Sequence, residues 1–123
     1  MTQKFTIHDR LPGMNEYTAN QRANKYGGNL MKRYAQKGVE AEIRASKIKP
    51  IKSPVTIVYT FYEPNRRRDK DNIAGFAHKV IQDALVSCGI LKDDAWDYVT
   101  GFEDHFAIDK KHPHIDVELR YQP

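Results

Sequence analysis

The stretch "RRRDKDN" drives three arginines, Arg66, Arg67 and Arg68, into two aspartates, Asp69 and Asp71. Residues two apart in an extended segment point the same way. Two carboxylates aimed together repel one another unless a cation lies between them. Magnesium meets that need, because it binds through one or two carboxylates together with water and substrate phosphate. Guanidinium groups meanwhile grip phosphate oxygens through paired hydrogen bonds. On this reading both signs of charge serve one partner, a phosphodiester held by arginines and reached by aspartates through metal. A plainer reading stands beside it: Asp69 pairs with an arginine in a solvated turn, and Asp71 only caps the next helix, worth ~1 kcal/mol. A second acidic pair, Asp93 and Asp94, follows later; alone it would read as a solvated loop. Asp83, four residues after Lys79, is suited to an i,i+4 ion pair with it.

The elements around these residues follow from periodicity. "KFTIHDR" alternates at Phe5 and Ile7, a short strand, and "LPGMNEY" supplies a turn at Pro12 and Gly13. Asn15 is suited to cap the next helix. From about Glu16 to Lys47 the pattern reads as mostly helix, with Tyr26, Leu30, Tyr34, Ala41, Ala45 and Ile48 as its apolar stripe and a possible break at Gly27 and Gly28. "KIKPIKSP" is a linker. "VTIVYTFYE" is a strand with two apolar faces, hence central, with Val55, Ile57, Tyr59 and Phe61 on one of them.

Ile73, Phe76, Ala77, Val80, Ile81, Ala84, Leu85 and Cys88 then trace one face of a helix. Asp71 or Asn72 is placed to cap its start, and Gly89 to stop it. "WDYVTGFEDHFAI" and "IDVELRY" are strands joined by the turn "DKKHPH". The order β-α-β-α-β-β predicts an α+β fold, a mixed four-stranded sheet with two main helices, in a single domain over residues 1–123.

At 123 residues, the chain has room for one sizeable core. Lys plus Arg number 20 against 16 Asp plus Glu, and this excess favours a polyanionic partner. The one cysteine, Cys88, excludes an internal disulfide and any multi-cysteine zinc site. Its place on the apolar helix face assigns it to packing. His8, His78, His105, His112 and His114 share no ligand spacing on one element. No apolar run reaches the ~20 residues of a membrane span, and the N-terminus lacks a signal-peptide core. The expected location is cytoplasmic.

"RRRDKDN", the helix ending "DALVSCG", and "ILKDD", together with "LPGMNEY" near the start and the β-rich C-terminus, resemble the RusA family of Holliday-junction resolvases. The resemblance covers most of the chain. It implies a homodimeric, magnesium-dependent endonuclease, often prophage-encoded, that binds four-way DNA junctions in recombination and repair and nicks two opposing strands symmetrically. Mn²⁺ is expected to substitute for Mg²⁺. The family's metal-binding aspartates match Asp69, Asp71 and Asp94, with Asp93 as an accessory neighbour. The family's lysine has two counterparts here, because the interval from the first aspartate to the D-A-L motif is four residues longer than in the best-known member. Counting forward from Asp71 gives Gly75, which has no side chain to serve. Counting back from Asp83 gives Lys79, to which the role is carried. Asn15 falls within the family motif, which carries it over as a DNA-binding candidate.

The expected chemistry is therefore phosphodiester hydrolysis, with Asp69, Asp71 and Asp94 holding Mg²⁺ and Lys79 adding positive charge near the phosphate. Arg66, Arg67 and Arg68 would position the DNA backbone, and Arg22, Lys25, Lys32, Arg33 and Lys37 would extend that surface. The alternative is a junction- or duplex-binding protein that does not cut, although such a protein gains nothing by setting carboxylates against phosphates. One geometric difficulty is already visible. A helix over residues 72–88 would be roughly 25 Å long, and the few residues between Gly89 and Asp94 reach back at most about 17 Å. A site shared between two copies of the chain, set antiparallel by a two-fold axis, would bring the two acidic ends together.

Overall fold

In the computed structural model, which describes residues 1–123, the first strand, β1, covers Thr2–Ile7, followed by the helices α1 (Met14–Ala23) and α2 (Lys25–Ser46). Strand β2 (Val55–Glu63), helix α3 (Lys70–Ser87) and strands β3 (Val99–Ile108) and β4 (His114–Tyr121) complete the chain. The strands form one mixed sheet in the order β1-β4-β2-β3, with β2 and β3 parallel and the other two pairings antiparallel. The order β-α-β-α-β-β and the α+β class are as the sequence predicts, with the N-terminal helical stretch divided in two.

β2 is central, and its Val55, Ile57, Tyr59 and Phe61 are buried. They meet the apolar face of α3, where Ile73, Phe76, Ala77, Val80, Ile81, Ala84 and Leu85 are buried in one continuous cluster. Cys88 packs against the edge of that cluster, and burial pushes its thiol pKa up, as expected of an inert packing residue. Gly89 has a left-handed backbone, φ 73°, so the chain turns sharply where α3 ends. No helix is long and apolar enough to cross a membrane.

Five local expectations need correction. The helical break falls at Asn24, not at Gly27 or Gly28: the Asn24 side chain accepts from the Tyr26 N–H at 3.0 Å and starts α2. Gly28 is instead a close-approach point, since a Cβ there would meet the Gln21 side chain and lie 3.2 Å from its Cα. The buried stripe of α2 is Gly28, Val39 and Ile43, supported by Met31 and Ala35, while Tyr26, Tyr34, Ala41 and Ala45 are exposed. The i,i+4 series Met31, Ala35, Val39, Ile43 was the signal to follow. Third, Asn15 does not cap α1; it lies inside the helix, and its N–H donates to Asn72 Oδ1 at 2.7 Å. The cap comes from α3, so this contact ties the two helix starts together. Fourth, neither Asp71 nor Asn72 precedes α3: Asp69 occupies the cap position, and its side chain makes no capping bond. β3 also begins at Val99, leaving Trp96 outside it and 94% exposed.

Candidate active site

The carboxyl ends of the parallel strands β2 and β3 meet the start of α3. Ligands in open α/β sheets gather at such an end. A cavity of about 720 Å³ opens there, lined by Glu63, Asn65, Arg66, Arg68, Asp69, Lys70, Asp71 and Ile73, with Phe106, Ala107 and Ile108 from β3. Asp69 and Asp71 thus face one space, though not as two residues of an extended segment. Asp69 is extended, with φ −68° and ψ 155°, and Asp71 sits in the first turn of α3. Both are exposed. Asp71 Oδ1 accepts from the Asn72 N–H at 2.9 Å, while Asp69 has no side-chain cap bond to satisfy. Lys70 lies between them, with its Nζ 5.4 Å from the centre of the Phe106 ring.

The three arginines divide into two roles. Arg66 and Arg67 are exposed. Arg68 is held: Nε and Nη2 donate to the two oxygens of Glu63 at 3.0 and 2.9 Å, and Nη1 donates to Leu11 O at 3.0 Å. Arg10 joins the same carboxylate, Nη2 donating to Glu63 Oε1 at 2.8 Å. Burial alone would raise the Glu63 pKa, but the bonds and charges of Arg68 and Arg10 outweigh it and hold the carboxyl below its ordinary value. Arg68 is therefore a structural clamp that fixes the floor of the cavity and the β1–α1 connection.

This clamp predicts an acid-sensitive contribution to stability. Because the folded Glu63 pKa is depressed, its contribution is complete above the ordinary glutamate value and is lost as pH falls through the folded value. Glu63→Gln should lower unfolding stability at pH 7 by about 2–3 kcal/mol. The gap from wild type should narrow at pH 3. Urea denaturation at both pH values checks this, and an equal gap at both would place the clamp's worth elsewhere.

The remaining predicted site residues are not gathered here. Asp93 and Asp94 follow the opposite end of α3; both are exposed, and Asp94 borders a separate cavity with Gln82, Trp96, Val99, Thr100, Gly101 and Phe102. α3 has 18 residues, which makes it roughly 27 Å long. Within one chain no three carboxylate, imidazole or thiol side chains come together as a metal-ligand group. Lys79 is exposed and does not pair with Asp83; Lys32 does, at 2.6 Å. That pair joins α2 to α3 and removes Lys32 from the free cations. Arg22, Lys25 and Arg33 remain exposed on α1 and α2.

Sequence reasoning missed Glu63 and Arg10 and assigned Asn72 only a capping role; all three shape the site through contacts distant in sequence. It also missed the link between His78 Nε2 and Asp104 Oδ1, 2.7 Å apart, which ties α3 to β3 between the two acidic ends. No local spacing signals any of these. No protein-family model matches the chain, and no curated protein matches it.

Proposed function

We propose that this protein is a RusA-type, magnesium-dependent endodeoxyribonuclease that resolves four-way DNA junctions. The observation that carries the reading is Asp69 and Asp71 in one cavity, both exposed, with Arg66 on its wall and Arg67 beside it. Two exposed carboxylates suit a hard cation that also needs substrate phosphate. When bound there, Mg²⁺ would supply an acidified water and neutralise phosphate charge. Asp69 and Asp71 hold that charge at the carboxyl end of β2. Arg66 and Arg67 grip the backbone, and Lys70 adds a positive charge between the acids. Lys79, two turns further along α3, is the family-derived candidate for a second cation near the phosphate.

Asp94 is the third carboxylate of the proposed site, and it enters from a second copy of the chain. β3 is an edge strand; Phe102 and Ile108 along it are 53% and 46% exposed, and Trp96, just before it, is 94% exposed. A two-fold axis beside this edge sets the Asp94 end of one protomer against the Asp69 end of its partner. Symmetric nicking requires two sites, and a homodimer with two composite sites would supply them.

The test is incubation of a synthetic four-way junction with the protein and Mg²⁺, scored for nicked duplexes. Binding without nicks in either Mg²⁺ or Mn²⁺ would leave a junction-binding module, whose basic surface would be the same. The DNA surface has its own check. Each neutralised phosphate adds a slope of about −0.9 in log K against log salt. Arg66→Gln with Arg67→Gln should reduce the magnitude of that slope by about one to two. An unchanged slope in filter-binding titrations would move the DNA surface away from this cavity.

A further inference from the structure

Tyr26 and Tyr34 have no place in the core or in the acidic cavity; they are 67% and 71% exposed on α2. A single exposed aromatic is ordinary, but these two have distinctive company. At 3.6 residues per turn, Tyr26, Arg33 and Lys37 fall on one stripe of α2, and Tyr34 lies on its flank. Arg33 and Lys37 are exposed and unpaired, whereas Lys32 and Arg44 on the same helix are held by Asp83 and Glu40. On the other side of Tyr34 runs a groove of about 520 Å³ between α2 and the β1–α1 connection, with Leu11, Met31, Ala35 and Gly38 among its walls. A Cβ at Gly38 would touch nothing, so the groove is open there. Arg10 also lines this groove and donates to Glu63, which lines the acidic cavity. A basic ridge, an aromatic ring and a largely apolar slot, with Asp9 and Glu42 also on its walls, therefore lie side by side, and the slot adjoins the candidate active site.

We infer that this face of α2 binds nucleotides that unpair at the branch point of the DNA substrate when the protein binds, an inference that rests on the proposed nuclease reading. Arg33 and Lys37 take the phosphates. Tyr34 stacks on a base that enters the groove, and Tyr26 stacks on a second. Cations beside an exposed aromatic suit a single strand, which offers phosphate on one side and a flat apolar ring on the other. A perfect duplex hides its base faces and gains only the ridge.

The experiment measures affinity in EDTA for a four-way junction and for a linear duplex of equal length, using wild type, Tyr34→Ala, Tyr34→Phe and Tyr26→Ala/Tyr34→Ala. Tyr34→Ala should weaken junction binding about tenfold and leave duplex binding unchanged, with Tyr34→Phe near wild type, because stacking needs the ring and not the hydroxyl. A 5-iodouracil at the branch should photo-crosslink to Tyr34, and one in mid-arm should not. Wild-type junction affinity in the double variant, or equal losses on junction and duplex, would overturn the inference. So would an altered oligomeric state with unaltered DNA binding, which would assign the groove to a protein contact. Nicking by the same wild-type preparation in Mg²⁺ separates the two claims. If it nicks while the tyrosine variants bind normally, the stacking face alone falls; if it neither binds nor nicks, both fall.

Discussion

Asp69→Asn is expected to reduce junction cleavage by about 10²–10⁴-fold while junction affinity in EDTA holds or rises. The substitution keeps the side chain's shape and removes the charge of one of the two exposed carboxylates that line the cavity. A bound metal contributes several kcal/mol of charge stabilisation in phosphoryl chemistry, and each ~1.4 kcal/mol is tenfold in rate. Affinity need not suffer, because a carboxylate facing a phosphate opposes binding when metal is absent. The fold should also be unaffected, since Asp69 is exposed and its side chain makes no cap bond at the start of α3. Single-turnover cleavage and EDTA binding on the same preparation check both halves. Cleavage at the normal rate would reduce Asp69 to a turn residue.

The second large effect comes from mixing two dead proteins. Asp69→Asn/Asp71→Asn and Asp93→Asn/Asp94→Asn should each be inactive alone, and subunit exchange between them should restore single nicks. The heterodimer of a composite arrangement has one intact site and one site without its carboxylates, so half of the sites return and paired cuts do not. Asp94 follows the far end of an 18-residue helix from Asp69, and the cavity it borders reaches back along that helix to Gln82. If each site were built from one chain, every heterodimer site would carry a defect and no nick would appear. Demonstrated heterodimers without nicking would retire the composite site and require residues 89–94 to double back along α3.

How much of this was legible in the sequence differed by element. β2 and α3 were readable because each buries one regular face: the alternation Val55, Ile57, Tyr59, Phe61 and the three-and-four spacing from Ile73 to Leu85 match the buried residues. α2 was legible as a helix but not in its facing. Its tyrosines looked like core, whereas the buried positions are the smaller Gly28, Val39 and Ile43. Composition cannot tell an exposed tyrosine from a packing one. The acidic cavity was half legible, since Asp69 and Asp71 are near neighbours in sequence and face one space. The roles of Arg68, Lys32 and Asn15 were not, because each is decided by a partner far along the chain: Glu63 together with Leu11 for Arg68, Asp83 for Lys32, Asn72 for Asn15. Local propensity carries no information about such partners, and a cation already held by a carboxylate is indistinguishable in sequence from one free to meet phosphate.

The central claim is metal-dependent cutting at Asp69 and Asp71, and the most direct measurement is nick mapping on a four-way junction with each strand labelled in turn. With Mg²⁺, the predicted result is a pair of nicks at symmetric positions in two opposing strands, each sealed by DNA ligase, and none in EDTA or with Asp69→Asn/Asp71→Asn. A junction that is bound and left intact across Mg²⁺ and Mn²⁺ titrations, or cut equally well by the double variant, would contradict the account.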